Sequence, residues 1–221
     1  MITGDIAGVV LVYLYVAILL LTTEKILDKF PTDINRKILH IMVGNIAFLL
    51  PIFETAWVMA FVAAGPFILF TYLMSPHSPI KKMKGKTSDA GHGMGLVYYA
   101  IAWSVLAYIF FDHMEVIAIG ILAMSYGDGF ASVIGSRFGK HKFNIWGDEK
   151  SFIGSITMFF FTLLMIVVAL FYYDVSILER IPILVFISIG VTYVEGVSPK
   201  GLDNLSVPFL AAFLYWLYFL M

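Results

Sequence analysis

The residues best suited to chemistry lie in one stretch, residues 127–155, with the sequence GDGFASVIGSRFGKHKFNIWGDEKSFIGS. Its first acid, Asp128, stands inside a long apolar run, where a carboxylate is costly unless it faces a cavity or a partner. The run leads into a loop with four basic residues, namely Arg137, Lys140, His141 and Lys142. Lys150 and Ser151 follow at a predicted helix start, where free N–H groups favour an anion. The stretch therefore predicts a polyphosphate site with a bound metal at a membrane surface.

Two interpretations of Asp128 remain open from the sequence. No basic residue stands one helical turn away from it, so a divalent cation is the favoured partner and a structural ion pair is the alternative.

Small residues recur every four positions on a neighbouring face, at Gly127, Ala131, Gly135 and Gly139. Such a stripe is typical of close helix packing in membranes, and we assign it that role.

The composition indicates an integral membrane protein. Of the 221 residues 61% are hydrophobic and only 13% are charged, whereas soluble domains carry about 25% charged residues. The chain has no cysteine, which excludes disulfides, thiolate catalysis and cysteine-ligated metals. A net charge of −1 argues against nucleic acid as a partner, and nothing in the sequence implies an obligate protein partner. The N-terminal segment lacks a basic n-region, so we expect a retained span there.

Apolar runs of about 20 residues, the length that crosses a bilayer, predict an all-α polytopic bundle. We expect a single transmembrane domain over residues 1–221 with about eight transmembrane helices. These cover residues 4–22, 38–53, 56–74, 93–111, 115–137, 151–173, 178–197 and 205–221. An amphipathic segment over residues 23–37 is expected to lie at the interface, and residues 75–92 and 137–150 are the main loops.

The distribution of positive charge predicts the orientation. All of the 14 lysine and arginine residues except Arg180 fall on one side of this topology. Because positive residues concentrate in cytosolic loops, both termini are expected outside and the large loops in the cytosol. Further polar residues reach the same cytosolic interface from other helices, namely Arg36, Lys37, His40, His92, Glu195, Asp203 and Asn204. Since magnesium prefers carboxylate oxygens beside substrate phosphates, we expect these groups to close one site.

Several of these motifs together resemble one family. They are G-D at 127–128, the Gly135 and Gly139 spacing with its basic run, K-S-x-x-G-S at 150–155, and E-x7-D-N at 195–204. R-K-x2-H at 36–40 and G-H-x2-G at 91–95 fit the same pattern. The combination resembles the CTP-dependent lipid kinases, which include phytol, dolichol and CTP-dependent diacylglycerol kinases. The match extends from about residue 36 to residue 210.

The resemblance implies transfer of the CTP γ-phosphate to the hydroxyl of a membrane-embedded alcohol, with Mg²⁺ or another divalent cation. An isoprenoid alcohol, such as a polyprenol, dolichol, phytol or geranylgeraniol, is the expected acceptor at the cytosolic interface. The implied catalytic residues are Asp128, Lys150 and Glu195. The implied metal ligands are Asp128, Glu195 and Asp203. The implied nucleotide and phosphate contacts are Arg137, Lys140, His141, Lys142, Ser151, Arg36, His40, His92 and Asn204. Asp128 could be a ligand of the metal or could act as the base that accepts the hydroxyl proton of the substrate.

Three alternatives stay open. A CTP-dependent diacylglycerol kinase would use the same site with a different acceptor. A cytidylyltransferase that forms CDP-lipids has a faint counterpart in KTSDAGHG at 86–93, but its Asp-Arg-x-Asp element is missing. A small ion-coupled transporter could use Asp128 and Glu195, although its binding site would be expected at the bilayer midplane.

Overall fold

The structure is a computed structural model that describes residues 2–26, 32–80 and 93–219. Helices dominate these ranges, and the only strands within them form one hairpin. The all-α class predicted from the composition is therefore confirmed. His92, a predicted phosphate contact, lies outside the described residues, as does most of the predicted loop at 75–92.

The elements follow the chain in this order. The first helices are α1 Thr3–Ile26, α2 Thr32–Val43, α3 Pro66–Met74 and α4 Gly95–Ile109. A π-helical turn, Val58–Ala64, precedes α3, and another, Ala123–Asp128, joins α5 Met114–Leu122 to α6 Gly129–Phe138. The hairpin consists of β1 Lys142–Ile145 and β2 Asp148–Ser151. The last helices are α7 Phe152–Tyr172, α8 Ile181–Val197 and α9 Asp203–Phe219.

Four described helices are long and apolar enough to cross a membrane. They are Thr3–Thr23, Met114–Phe138, Phe152–Tyr172 and Leu178–Val197, and two shorter apolar helices, Val58–Met74 and Gly95–Ile109, accompany them. A membrane protein is therefore the correct class. The count of about eight transmembrane helices and the outside termini stay predictions.

The helix Met114–Phe138 lies at the centre of the fold. In the most apolar 18-residue stretch of this helix 72% of the residues are buried, whereas the corresponding fraction for the first helix is 17%. The side chains from Val116 to Leu122 are all fully enclosed. A helix that is hydrophobic all round is buried on all sides by its neighbours. Because Asp128 belongs to this helix, its carboxylate is carried into the interior of the protein.

The second helix departs from the predicted boundaries. The sequence predicts an interfacial segment over 23–37 and a membrane helix over 38–53, but α2 begins at Thr32 and ends at Val43. Short 3₁₀ turns then carry the chain through Gly44–Phe48 and Leu50–Ile52. Gly44 lies so close to the central helix that a Cβ there would be 2.5 Å from the Cβ of Ser125. The early start unites Arg36, Lys37 and His40 on one helix.

The loop predicted at residues 137–150 contains a β-hairpin. Its antiparallel register pairs Phe143 with Lys150 and Ile145 with Asp148. The two turn residues, Trp146 and Gly147, have φ angles of 54° and 91°, and positive φ at both positions is the geometry of two-residue hairpin turns. The predicted helix start at residue 151 is one residue early, because Ser151 is the N-cap of α7 and accepts a hydrogen bond from Gly154 N. The hairpin thus fixes Lys150 directly beside a helix start.

The stripe of small residues packs against α7, as predicted from its spacing. A Cβ at Gly127 would lie 2.6 Å from Thr162 Oγ1, and one at Gly135 would lie 2.8 Å from Ser151 Oγ. Both distances are too short for a real contact, so any side chain larger than that of glycine would push α7 away from the central helix. The two helices can therefore pack this closely only because glycine stands at these positions. This close approach holds the N-cap of α7 against the helix that carries Asp128.

We expect Gly135→Ala to destabilise the protein by about 1–3 kcal/mol, the usual cost of overpacking. The added methyl group would displace Ser151, which donates to Gly135 O at 3.3 Å and caps α7. The measurement is the midpoint of thermal unfolding in detergent. Gly190→Ala is the matched control, because a Cβ there meets only ordinary contacts at 3.7 Å and 4.0 Å. Equal midpoints for the two variants would contradict the packing described for Gly135.

Candidate active site

Three acidic side chains from different elements meet at one point. Asp128 ends the π-helical turn of the central helix, Glu195 lies near the end of α8, and Asp203 begins α9. One carboxylate oxygen of each lies within 4.8 Å of the others. Asp128 and Glu195 are buried, and the side chain of Asp203 is 13% exposed. We call these three residues the acid triangle. The sequence predicted all three as metal ligands.

Asp128 has basic partners from α2. Lys37 Nζ donates to Asp128 Oδ2 at 2.7 Å, and His40 Nε2 lies 3.5 Å from the same oxygen. The sequence shows no basic residue one turn away on the helix of Asp128 that could neutralise its charge. In the structure Lys37, from a helix distant in the chain, fills that role. The sequence predicts Lys37 at the cytosolic interface but does not predict its contact with Asp128. A signal was present, since Lys37 and His40 are three residues apart and share one helix face.

Lys150 joins the other two acids. Its Nζ lies 2.5 Å from Glu195 Oε1, 2.5 Å from the main-chain oxygen of Glu195, and 3.5 Å from Asp203 Oδ2. Burial by itself would lower the pKa of Lys150, but the carboxylates of Glu195 and Asp203 outweigh that effect and raise it. Lys150 is therefore an ammonium at neutral pH. It can bind an anion there, and it cannot act as a base.

Asn204 fixes the orientation of Asp203. The main-chain N–H of Asn204 donates to Asp203 Oδ1 at 2.9 Å, and its side-chain amide donates to the same oxygen at 3.3 Å. This leaves Asp203 Oδ2 directed at Lys150. Burial and the negative charge of Asp128 raise the pKa of Asp203 above its usual range. The triangle therefore concentrates negative charge that a cation would stabilise.

A cavity of about 430 Å³ opens beside the acid triangle. Its volume falls in the range of small-molecule sites. The side chains that line it are mainly polar and include both signs of charge. Arg36 lines the cavity, and its buried Nε has no hydrogen-bond partner among the described residues. A buried donor of this kind is costly unless a ligand satisfies it.

Four of the predicted phosphate contacts line the cavity, namely Arg36, Lys142, Ser151 and Asn204. Three of them have partners within the protein already, and for Asn204 these are Asp203 Oδ1 and Gly201 O, to which its amide donates. Lys142 Nζ donates to Glu149 Oε1 at 2.5 Å, and Ser151 Oγ caps α7. His40 contacts Asp128 and is not part of the lining.

The remaining described phosphate contacts of the prediction lie away from the cavity. Arg137, Lys140 and His141 are exposed where α6 ends and the hairpin begins, and none of them contributes to the cavity wall. The hairpin itself is tied to the loop between α8 and α9, because Lys200 N donates to Asp148 Oδ2 at 2.5 Å. Residues of both the hairpin and α2 thus border the cavity.

The acid triangle has the donor atoms that a divalent cation such as Mg²⁺ prefers. Mg²⁺ in phosphate-handling proteins is held by one or two carboxylates together with substrate phosphates. The acid triangle meets that requirement, because its three carboxylate oxygens lie within 4.8 Å of one another. The cavity beside it also offers a phosphate the buried Nε of Arg36, which has no hydrogen-bond partner among the described residues. The residues present thus fit a metal-bound polyphosphate.

Comparison with known proteins identifies the family. No family model and no solved structure matches the chain. It is 34% identical over 212 residues to the phytol kinase of Synechocystis sp., covering 91% of this chain and 87% of that protein. It is 30% identical to the probable chloroplastic phytol kinase of Triticum aestivum, covering 82% and 67%, and 30% identical to the chloroplastic phytol kinase 1 of Arabidopsis thaliana, covering 82% and 66%.

These relatives match most of the chain, and they carry one activity in their names. The resemblance to lipid kinases that the motifs indicated is thereby confirmed. The chain belongs to the phytol kinase family of lipid kinases, and it is a phosphotransferase with an alcohol acceptor.

Proposed function

We propose that this protein transfers the γ-phosphate of CTP to the hydroxyl of phytol or a closely related isoprenoid alcohol, with a divalent cation as cofactor. The observation that carries the proposal is the acid triangle, which lies beside a polar cavity at the ends of apolar helices. Phytol as acceptor is supported by the names of the relatives. CTP as donor is supported by the motif resemblance.

The donor side of the site would be formed by basic residues. Phosphoryl transfer depends on positioning and charge neutralisation more than on covalent chemistry. Arg36 has a buried donor atom without a partner among the described residues, and Lys150, whose pKa is raised by Glu195 and Asp203, is an ammonium beside the cavity at neutral pH. We assign both residues to the triphosphate.

The metal would be held by Glu195 and Asp203, with Asp128 at the third corner of the triangle. When bound, a divalent cation neutralises charge on the transferred phosphoryl group and on the leaving nucleotide. Asn204 would contribute by holding Asp203 in the required orientation through its two hydrogen bonds to Oδ1.

The acceptor side would be formed around Asp128. Asp128 lies inside the candidate span Met114–Phe138, whereas Glu195 and Asp203 lie at helix ends. The alcohol oxygen forms a bond to the γ-phosphorus as the bond from that phosphorus to the β–γ bridging oxygen breaks, and CDP leaves. Lys37 and His40 contact Asp128 Oδ2, and we assign the hydroxyl proton to Oδ1.

The orientation of the site remains part of the proposal. We propose a multi-pass protein with the cavity facing the cytosol, where nucleotide is available. The support is the charge distribution, since all lysine and arginine residues except Arg180 fall on that side of the expected topology.

A donor and acceptor panel tests the function. Purified protein in detergent with Mg²⁺ is expected to phosphorylate phytol with CTP far faster than with ATP, GTP or UTP. Under the same conditions we expect phytol and geranylgeraniol to be better acceptors than diacylglycerol. The measurement is the phosphorylated lipid resolved by chromatography, with heat-inactivated protein as the control. A preference for diacylglycerol, or release of pyrophosphate with a CMP-linked lipid, would overturn the proposal.

A further inference from the structure

The ammonium of Lys150 occupies a cation position of the acid triangle. It contacts two carboxylates at once, with Nζ at 2.5 Å from Glu195 Oε1 and 3.5 Å from Asp203 Oδ2, and it also binds the main-chain oxygen of Glu195. Both carboxylates belong to the acid triangle, which would ligate a divalent cation. Lys37 holds the remaining corner by its bond to Asp128. The three carboxylates are thus already shared between two ammonium groups.

A divalent cation cannot simply be added to this arrangement. It would lie beside the Lys150 ammonium, and like charges at such short range in a partly buried site repel strongly. Lys150 therefore has to leave Glu195 when the metal enters. An ammonium that leaves its carboxylate partner needs another anion, because burying an unpaired charge is very unfavourable.

The protein offers few alternative anions beside the cavity. Apart from the acid triangle, the acids that line the cavity are Asp148 and Glu149. Both have contacts of their own, since Lys200 N donates to Asp148 and Lys142 Nζ donates to Glu149. A polyphosphate in the cavity would supply the missing charge. The Lys150 head group borders that cavity and is carried on a long flexible side chain at the end of β2. It can turn towards a phosphate without displacement of the hairpin.

We propose that Lys150 is a placeholder cation, so that the site admits a divalent metal only together with a polyphosphate that takes over Lys150. The ligand of the site is then the metal–triphosphate complex and not the free metal ion. The proposal rests on the proposed function, because it assumes that the acid triangle binds the metal. It assigns to Lys150 two successive partners, first Glu195 and then a phosphate oxygen.

Metal binding in the absence of nucleotide tests this directly. Free Mn²⁺, followed by electron paramagnetic resonance, is expected to bind wild-type protein weakly and to bind Lys150→Met about tenfold more tightly or better, because the triangle is then left without its placeholder. Lys150→Gln serves as a second variant that keeps a hydrogen-bond donor beside Glu195. Lys200→Met is the matched control, since it removes an exposed lysine that does not line the cavity, and its Mn²⁺ affinity should equal that of wild type.

Thermal unfolding gives an independent readout. Without metal, Lys150→Met should melt below wild type, and Mn²⁺ alone should raise its midpoint much more than that of wild type, since ligand binding stabilises by mass action. Unchanged Mn²⁺ affinity in both Lys150 variants would overturn the placeholder. If wild-type protein bound no Mn²⁺ even with a non-hydrolysable CTP analogue, the metal site of the proposed function would fail instead.

Discussion

Asp128→Asn is expected to lower the turnover number by about 10³-fold or more, within the range attributed to a lost catalytic base. The side chain keeps its size, but it loses the proton acceptor and one charged corner of the acid triangle. It also loses the ion pair with Lys37, so the position of α2 relative to the central helix has to be checked. The measurement is single-turnover phosphorylation of phytol at saturating CTP.

Asp112→Asn is the control for this variant. Asp112 is exposed in the turn before the central helix, at the opposite end from Asp128. It should retain full activity. Thermal unfolding of both variants separates loss of chemistry from loss of structure. Turnover by a folded Asp128→Asn protein within tenfold of wild type would contradict the role assigned to this carboxylate.

Glu195→Gln is expected to raise the Mg²⁺ concentration for half-maximal activity by about tenfold or more, with a fall in turnover at any fixed Mg²⁺. The substitution removes the charge of one ligand and also the ionic partner of Lys150, while the main-chain oxygen of residue 195 continues to bind Lys150. The measurement is the dependence of initial rate on Mg²⁺ at constant free CTP.

Glu179→Gln is the matched control, since Glu179 is exposed in the 3₁₀ turn before α8 and has no part in the cavity. Its Mg²⁺ dependence should coincide with that of wild type. If Glu195→Gln reduced turnover without altering the Mg²⁺ dependence, Glu195 would contribute to the reaction but would not be a metal ligand.

Much of the site could be predicted from residue types alone. A carboxylate inside an apolar run is conspicuous, because burying it without a partner is costly, and Asp128 was found for that reason. Glu195 and Asp203 were found because predicted helix ends and charge placement put them on the same side of the membrane. The structure brings the three oxygens within 4.8 Å of one another.

The partners of these acids were harder to predict. Lys37 and Asp128 are 91 positions apart, and the spacing of Lys37 and His40 shows that they share a helix face without showing what that face contacts. Lys150 was expected to meet phosphate at a helix start, but its immediate partners are Glu195 and Asp203. Such pairings depend on how the helices pack, which local sequence patterns do not encode.

The hairpin was missed for a local reason. Each strand has only four residues, and although β1 alternates polar and apolar side chains, β2 has no apolar residue, so the apolar alternation that marks a hairpin is incomplete. Their turn places Trp146 at positive φ, which is uncommon for a bulky residue and gives no signal in the sequence beyond the following glycine. The start of α2 was misplaced because its first turns are polar and were assigned to an interfacial segment.

The transfer itself can be followed by the position of the label in CTP. Purified protein with Mg²⁺ and phytol is supplied in parallel with CTP labelled at the γ-phosphate and CTP labelled at the α-phosphate. We expect the lipid product to carry label from the γ-position only, with CDP as the labelled nucleotide in the second reaction. Label from the α-position in the lipid, or no lipid label from either nucleotide, would contradict a CTP-dependent phytol kinase.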